Sequence, residues 1–347
     1  MQLASLDADP GVSFVMPVLN EEGFLESAVR SVLTQDVSGE RELILALGPS
    51  TDRSDDIARR LAEADPRIRL VENPERDIPI GLNLAISRST YPIIVRVDAH
   101  SELPPSYTRD AVEILRRTGA ANVGGVMRAD GVGTVQRAIA AAYNSPFGLG
   151  GGAYHSEGAP GPAESAYLGV FRREAVAAVG GFDPSVRRGE DWELNLRIRR
   201  AGGLVWFDPR LSVVYRPRAS LRDLAQQFFA TGAWRAELVR RYGRANPWRF
   251  FAPGLLVLSL AASLLLAILQ GAGLVPLPWW SLVHLIPLWY VAAVAFGAAQ
   301  LRGVRGARER SLGMLTLATM HLSWGSGFLA GLAGGAPHTL DRSRARK

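Results

Sequence analysis

The chain has 347 residues, of which 39 are basic and 33 acidic, for a formal charge of +6. That length admits one large domain or two ordinary ones, and 48% hydrophobic against 21% charged residues excludes an intrinsically disordered chain. Cysteine is absent, which excludes disulfides, thiolate metal sites and cysteine nucleophiles.

The mean charge conceals an asymmetry. From Phe250 to Gln300, 51 residues carry no Asp, Glu, Lys or Arg, whereas the chain before Phe250 reads as a water-soluble protein. The basic balance therefore describes a mixed molecule, and no aromatic–basic interleaving marks a nucleic-acid surface. Met1 to Gly11 is short and acidic without an apolar core, so no cleaved signal peptide is expected.

A first strand is predicted at Val12–Met16, ending at Pro17, and an amphipathic helix from Glu22 to Gln35. A second strand covers Leu43–Leu47. Ser50-Thr51-Asp52 offers capping side chains for a helix through Ile57, Ala58 and Leu61. Ile68–Val71 reads as a third strand, Ile78–Ser87 as a helix, and Pro92–Asp98 as a fourth, β-branched and largely apolar strand that ends on Asp98. Short apolar strands alternating with helices predict an α/β fold with a mainly parallel sheet covered on both faces. Ligands of such sheets bind beyond the carboxyl ends of the strands. The segments at 17–21, 48–52 and 98–100 all lie there.

Further on, glycine-rich stretches at 148–152 and 158–162 read either as a surface connection or as a loop that orders over substrate. A compact helix carries Glu190-Asp191-Trp192. Leu221 to Trp248 reads as an amphipathic helix rich in arginine and aromatic residues, able to lie along a membrane surface or to pack on the main domain.

The first of three apolar segments, residues 250–269, spans about 30 Å as a helix, the thickness of a bilayer core. The second, 279–299, opens on a Trp pair suited to the interface, and the third, 312–332, is weaker. Arginines before the first segment and after the second place both ends of this hairpin, and the amino-terminal domain, on the cytoplasmic side. A spanning third segment would put Arg342, Arg344, Arg346 and Lys347 outside, against that rule; a re-entrant or interfacial segment is its rival. The expected organisation is a catalytic domain at 1–220, an interfacial helix at 221–249, membrane helices within 250–334 and a basic tail at 335–347.

Asp98 and His100 stand two apart on an extended segment, so both side chains face one way and suit a shared cation that leaves positions open for phosphate oxygens. Glu190-Asp191 at a helix start is a second acidic pair. With Pro17-Val18-Leu19-Asn20-Glu21-Glu22, Gly48-Pro49-Ser50-Thr51-Asp52, Gly81-Leu82-Asn83 and Gly180-Gly181-Phe182-Asp183, in this order over residues 12–215, the sequence resembles glycosyltransferase family 2, inverting enzymes of the GT-A nucleotide-sugar fold. Through Arg96–Pro105 it is most similar to the membrane-anchored bacterial branch of the succinoglycan glucosyltransferase kind.

The resemblance implies that Pro17, Leu19, Glu21, Ser50, Asp52, Asn83, Asp98 and Ala99 bind a nucleotide-diphosphate sugar, and that Asp98 and His100 hold Mn²⁺ or Mg²⁺. It implies Asp191 as general base for the acceptor hydroxyl, with Glu190, Trp192 and Arg197 on the acceptor side and Arg197 orienting the acidic pair. The chain departs from the family pattern at His100, usually aspartate, and at Gly48, usually acidic. It also lacks the Gln-x-x-Arg-Trp signature of processive synthases before Trp234, which implies transfer of one sugar. The membrane segments imply a lipid-linked glycan acceptor at the inner membrane of a bacterial cell. Transfer to polyprenyl phosphate itself is the alternative within the class, and a catalytically silent nucleotide-sugar-binding scaffold is the alternative outside it.

Overall fold

The computed structural model describes residues 1–149, 158–276, 279–304 and 306–336. Gly150–Gly152 of the glycine-rich stretch, Arg305 and nearly all of the basic tail lie outside the described residues, as do positions 277 and 278 of the turn between the apolar segments. In chain order the elements are β1 Val12–Val18, α1 Leu25–Leu33, β2 Arg41–Leu47, α2 Ser54–Ala64, β3 Ile68–Glu72, α3 Ile78–Arg88, β4 Ile93–Arg96, α4 Tyr107–Thr118 and β5 Asn122–Ala129. Then follow α5 Thr134–Tyr143, α6 Pro146–Leu149, β6 Gly161–Pro162, β7 Tyr167–Arg172, α7 Arg173–Ala178, α8 Glu190–Arg200, β8 Val205–Tyr215, α9 Leu221–Tyr242, α10 Ala252–Gly271, α11 Leu285–Ala299 and α12 Gly306–Gly334.

Two compact units result. Residues 1–128 and 152–215 form the first; residues 129–151 and 216–347 form the second. Segment 129–151, which carries α5 and α6, groups with the carboxy-terminal helices.

The first unit is built on an eight-stranded sheet of order β3-β2-β1-β4-β7-β5-β8-β6. β3, β2, β1 and β4 run parallel, while β7 is antiparallel to both β4 and β5. The first four strands are apolar because helices cover both faces: Phe14, Met16, Leu43, Leu45 and Val95 face one core cluster, and Val15, Ile44, Ala46 and Ile94 the other. Parallel pairing of β1 with both β2 and β4 brings the loops that follow these three strands to one edge.

In the second unit α9 begins at Ser220, whose hydroxyl oxygen accepts from the Asp223 N–H at 3.1 Å. The helix stops at Tyr242, short of the expected Trp248, because Gly243 turns the chain at φ 49° and Pro247 follows. One face of α9 lies directly on α12. A Cβ at Gly232 would stand 2.1 Å from the Trp324 carbonyl oxygen, and one at Gly327 would stand 2.0 Å from that of Phe229. The approach is closer than any side chain permits, as where small residues line helix crossings.

Among the described residues, two helical stretches are long and apolar enough to cross a membrane, Trp248–Gly271 and Ser281–Ala299, and few of their residues are buried. A soluble core helix would be mostly buried. The third expected segment lies within α12, whose small-residue face is taken up by α9 and α10.

Candidate active site

β4 ends at Arg96, and Val97 extends it by donating to the Val15 carbonyl at 3.0 Å. The chain then turns through Asp98, the buried Ala99 and His100, and the Ser101 N–H closes the turn on the Asp98 carbonyl at 2.9 Å. Facing this turn is the amino terminus of α8, where Gly189 at φ 80° admits Glu190 and Asp191 as the first helical residues.

The Arg96 side chain joins the two. It is 6% exposed; its Nη2 lies 3.2 Å from Asp98 Oδ1, and its Nη1 lies 3.0 Å from Glu190 Oε1 and pairs with Asp191 Oδ1. One buried guanidinium therefore gathers three carboxylates from two loops, using the fork geometry that arginine alone provides. Residues 98 and 191, far apart in sequence, meet on one cation.

The Asp191 carboxyl is pushed up to about 7, because desolvation outweighs the pull of Arg96, with Glu190 and Asp98 adding repulsion. A carboxyl poised there exchanges protons at neutral pH, as a general base must. The Arg96 pKa is raised as well: burial works against its charge, and the negative charges of Asp191, Asp98 and Glu190 overcome that and hold it protonated.

The loops after β1 and β2 interlock. The Asn20 N–H donates to Ser50 Oγ at 3.2 Å, and Asn20 Oδ1 accepts from the Thr51 N–H at 2.7 Å. The Glu21 N–H donates to Ser54 Oγ at 2.6 Å, and the Glu22 N–H to Asp52 Oδ2 at 3.1 Å. Asn20 accepts a left-handed backbone, φ 56°, within this clasp. Ser50 and Asp52 thus shape the loop that presents Glu21; Pro17 lies in β1, Leu19 just beyond it, and both are partly exposed. Glu21 reaches the β4 loop, with Oε1 2.9 Å from His100 Nδ1.

Among the described residues no group of three or more His, Asp or Glu could hold a metal. Residues 98–101 form a turn and not the extended segment that the sequence suggested, and the two side chains have separate partners, Asp98 on Arg96 and His100 on Glu21. A carboxylate can only accept, so the contact with Glu21 has Nδ1–H of His100 as its donor.

Other expected residues fall elsewhere. The Asn83 amide donates to the Phe182 carbonyl at 2.7 Å and accepts from the Phe182 N–H at 2.9 Å, so it pins the Gly181–Phe182 turn. Gly181, at φ 77°, has room for no Cβ, which would meet Asn83 Oδ1 at 2.7 Å. Arg197 grips Glu193, with both contacts at 2.6 Å, and donates to the Val179 and Gly181 carbonyls. The guanidinium bound to the acidic pair is that of Arg96, and Trp192 is buried at 7% exposure. Sequence reasoning passed over Arg96, although a lone charge within an otherwise apolar buried strand was the available signal.

A mixed, mostly parallel sheet with an antiparallel β7 is the sheet typical of the GT-A fold. The chain belongs to glycosyltransferase family 2: residues 13–180 match the model described as "Glycosyl transferase family 2". It is 34% identical over 319 residues to the succinoglycan biosynthesis protein ExoA of Rhizobium meliloti, covering 90% of this chain and 92% of that one. It is 22% identical over 242 residues to the Methanococcus voltae dolichyl N-acetyl-alpha-D-glucosaminyl phosphate 3-beta-D-2,3-diacetamido-2,3-dideoxy-beta-D-glucuronosyltransferase, covering 66% and 74%. The fold is shared with the mannosyltransferase PcManGT of Pyrobaculum calidifontis, described in complex with GDP-Man and Mn²⁺, at TM-score 0.58 and 20% identity over 93% of this chain and 87% of that one.

Proposed function

We propose that this enzyme transfers one sugar, with inversion, from a nucleotide-diphosphate sugar to a hydroxyl of a lipid-linked glycan at the cytoplasmic face of a bacterial inner membrane, in exopolysaccharide or envelope-glycan synthesis. The observation that carries the reading is the placement of Asp98 and Asp191 on one buried guanidinium, with Asp191 titrating near neutrality.

The donor diphosphate lies against Asp98 and His100, held from below by Glu21, with Pro17 and Leu19 beside the nucleotide. When bound, Mn²⁺ or Mg²⁺ supplies positive charge to offset that growing on the leaving diphosphate. Asp191 accepts the acceptor hydroxyl proton as the oxygen attacks the anomeric carbon; the new C–O bond forms as the bond to the diphosphate breaks. The single displacement inverts the carbon and requires no enzyme nucleophile. Arg96 holds Asp191 in place and limits how far burial raises its pKa.

Several similarities support the biological setting. The Rhizobium relative is named for succinoglycan biosynthesis, and the Methanococcus relative's name contains a dolichyl phosphate. The like-folded mannosyltransferase is described with GDP-Man and Mn²⁺. Two helical stretches fit a membrane anchor.

The test incubates purified protein with UDP-, GDP- and dTDP-sugars and bacterial lipid extracts, and identifies the product by mass and anomeric configuration. A lipid-linked glycan one sugar larger, formed with inversion and lost in Asp191→Asn, supports the proposal. Substantial turnover by Asp191→Asn would point to an already anionic phosphate acceptor. Failure to release nucleoside diphosphate from any donor would leave only a binding scaffold.

A further inference from the structure

Within the second unit, α6, α10, α11 and α12 line an open cavity of about 560 Å³. Its wall is apolar and aromatic, with Phe147, Leu256, Ala293, Val294, Met320 and Trp324 among the lining residues. Three of the polar groups in that wall are paired: the Tyr290 hydroxyl donates to His321 Nδ1 at 3.3 Å, and His321 Nε2–H donates to the Phe147 carbonyl at 2.7 Å, whereas the buried Trp324 Nε1–H has no acceptor. The hydrogen bonds tie α6, α11 and α12 around an interior that offers mainly apolar contact and the one unpaired indole N–H.

Charge collects beside this cavity. Trp248 and Arg249 line it just before the apolar run of α10, and Trp248 is 82% exposed, as in an interfacial aromatic belt. Two guanidinium groups, of Arg235 and Arg249, lie over the ring of Phe250, another lining residue, at 4.0 and 5.0 Å from its centre. An apolar pocket with cations beside it, whose lining includes the start of α10, matches a molecule with a hydrocarbon tail and an anionic head.

We propose that this cavity holds the first isoprenoid units of the lipid-linked acceptor, with the adjoining phosphate at Arg249; the inference rests on the acceptor class proposed above. The volume falls in the range of small-ligand pockets, about 300–1,000 Å³, so it takes one tail segment and leaves the remainder to the bilayer. A single methyl-branched chain fits the flat aromatic wall. A diacyl phospholipid would have to leave one of its two chains outside.

The test uses the full chain in detergent micelles with undecaprenyl phosphate as probe, bound lipid being counted by native mass spectrometry. Ala293→Trp adds an indole at the cavity wall; Ala292→Trp, equally exposed but outside the lining, controls for added bulk. Wild type and Ala292→Trp are expected to bind the probe saturably, Ala293→Trp about tenfold more weakly or worse, and Arg249→Gln to lose its preference for undecaprenyl phosphate over undecaprenol. Equal binding by Ala293→Trp and Ala292→Trp, or phosphatidic acid binding as well as the probe, overturns the inference. Donor-sugar binding, measured in parallel, separates the two readings. A protein that binds donor normally but gives no cavity-dependent lipid binding loses only this inference, whereas cavity-dependent lipid binding without any donor use removes the transferase reading instead.

Discussion

Replacing Arg96 with Gln exposes what the buried guanidinium does. In the native site Asp191 titrates near 7, so about half of it is ionised at neutral pH. A cation at hydrogen-bond distance lowers a carboxyl pKa by about 1–3, so its removal returns Asp191 upward by that much. A rise of 2 leaves about 1% of the base ionised at pH 7, and kcat there falls about fiftyfold, recovering half its plateau near pH 9. The three acids also lose their counter-charge, which for a buried pair costs about 3–5 kcal/mol. Folding is therefore checked first by circular dichroism, and Arg96→Lys, which keeps the charge without the fork, is measured beside it. The assay is nucleoside diphosphate release against pH. An Arg96→Gln enzyme that folds, binds donor and keeps the native pH midpoint would refute the assigned role of Arg96.

Other expectations are independent of that one. Asp191 holds a proton in the folded protein between about pH 4 and pH 7 where the unfolded chain has released it, so its contribution makes the fold less stable as pH rises through that window. Asp191→Asn should flatten this fall, seen as a smaller drop in Tm between pH 5 and pH 8. Glu21→Gln weakens the outer support of His100 and should raise the Mn²⁺ concentration for half-maximal turnover by about 10–100-fold, read by metal titration. Gly327→Ala drives a methyl into the Phe229 carbonyl and should destabilise the second unit by about 1–3 kcal/mol, measured by thermal unfolding in detergent.

The parallel half of the sheet was legible because buried parallel strands are written as short apolar runs, and β1, β2, β3 and β4 fall on those runs. The edge that gathers the site was legible for the same reason, since the ends of parallel strands must lie together. Side-chain partnership was not. Nothing in Gly81-Leu82-Asn83 shows that the Asn83 amide spends both its groups on the backbone of Phe182, nearly a hundred positions later. Arg197 stands one helical turn from Glu193 and so finds its partner locally, whereas Arg96 reaches α8 only after β4 and α8 have been placed by the core. The extent of α9 was misjudged because its arginine and aromatic pattern runs on past Gly243, where backbone conformation rather than composition ends the helix.

The crossing of α9 and α12 also restricts how this part of the chain can change over evolutionary time. A collision between two side chains can be relieved by trimming either one. At Gly232 and Gly327 the obstacle is a carbonyl oxygen of the opposite helix, and every amino acid carries that atom. No second-site replacement on the partner can make room, so each glycine is held independently of its surroundings while neighbouring apolar positions remain free to drift.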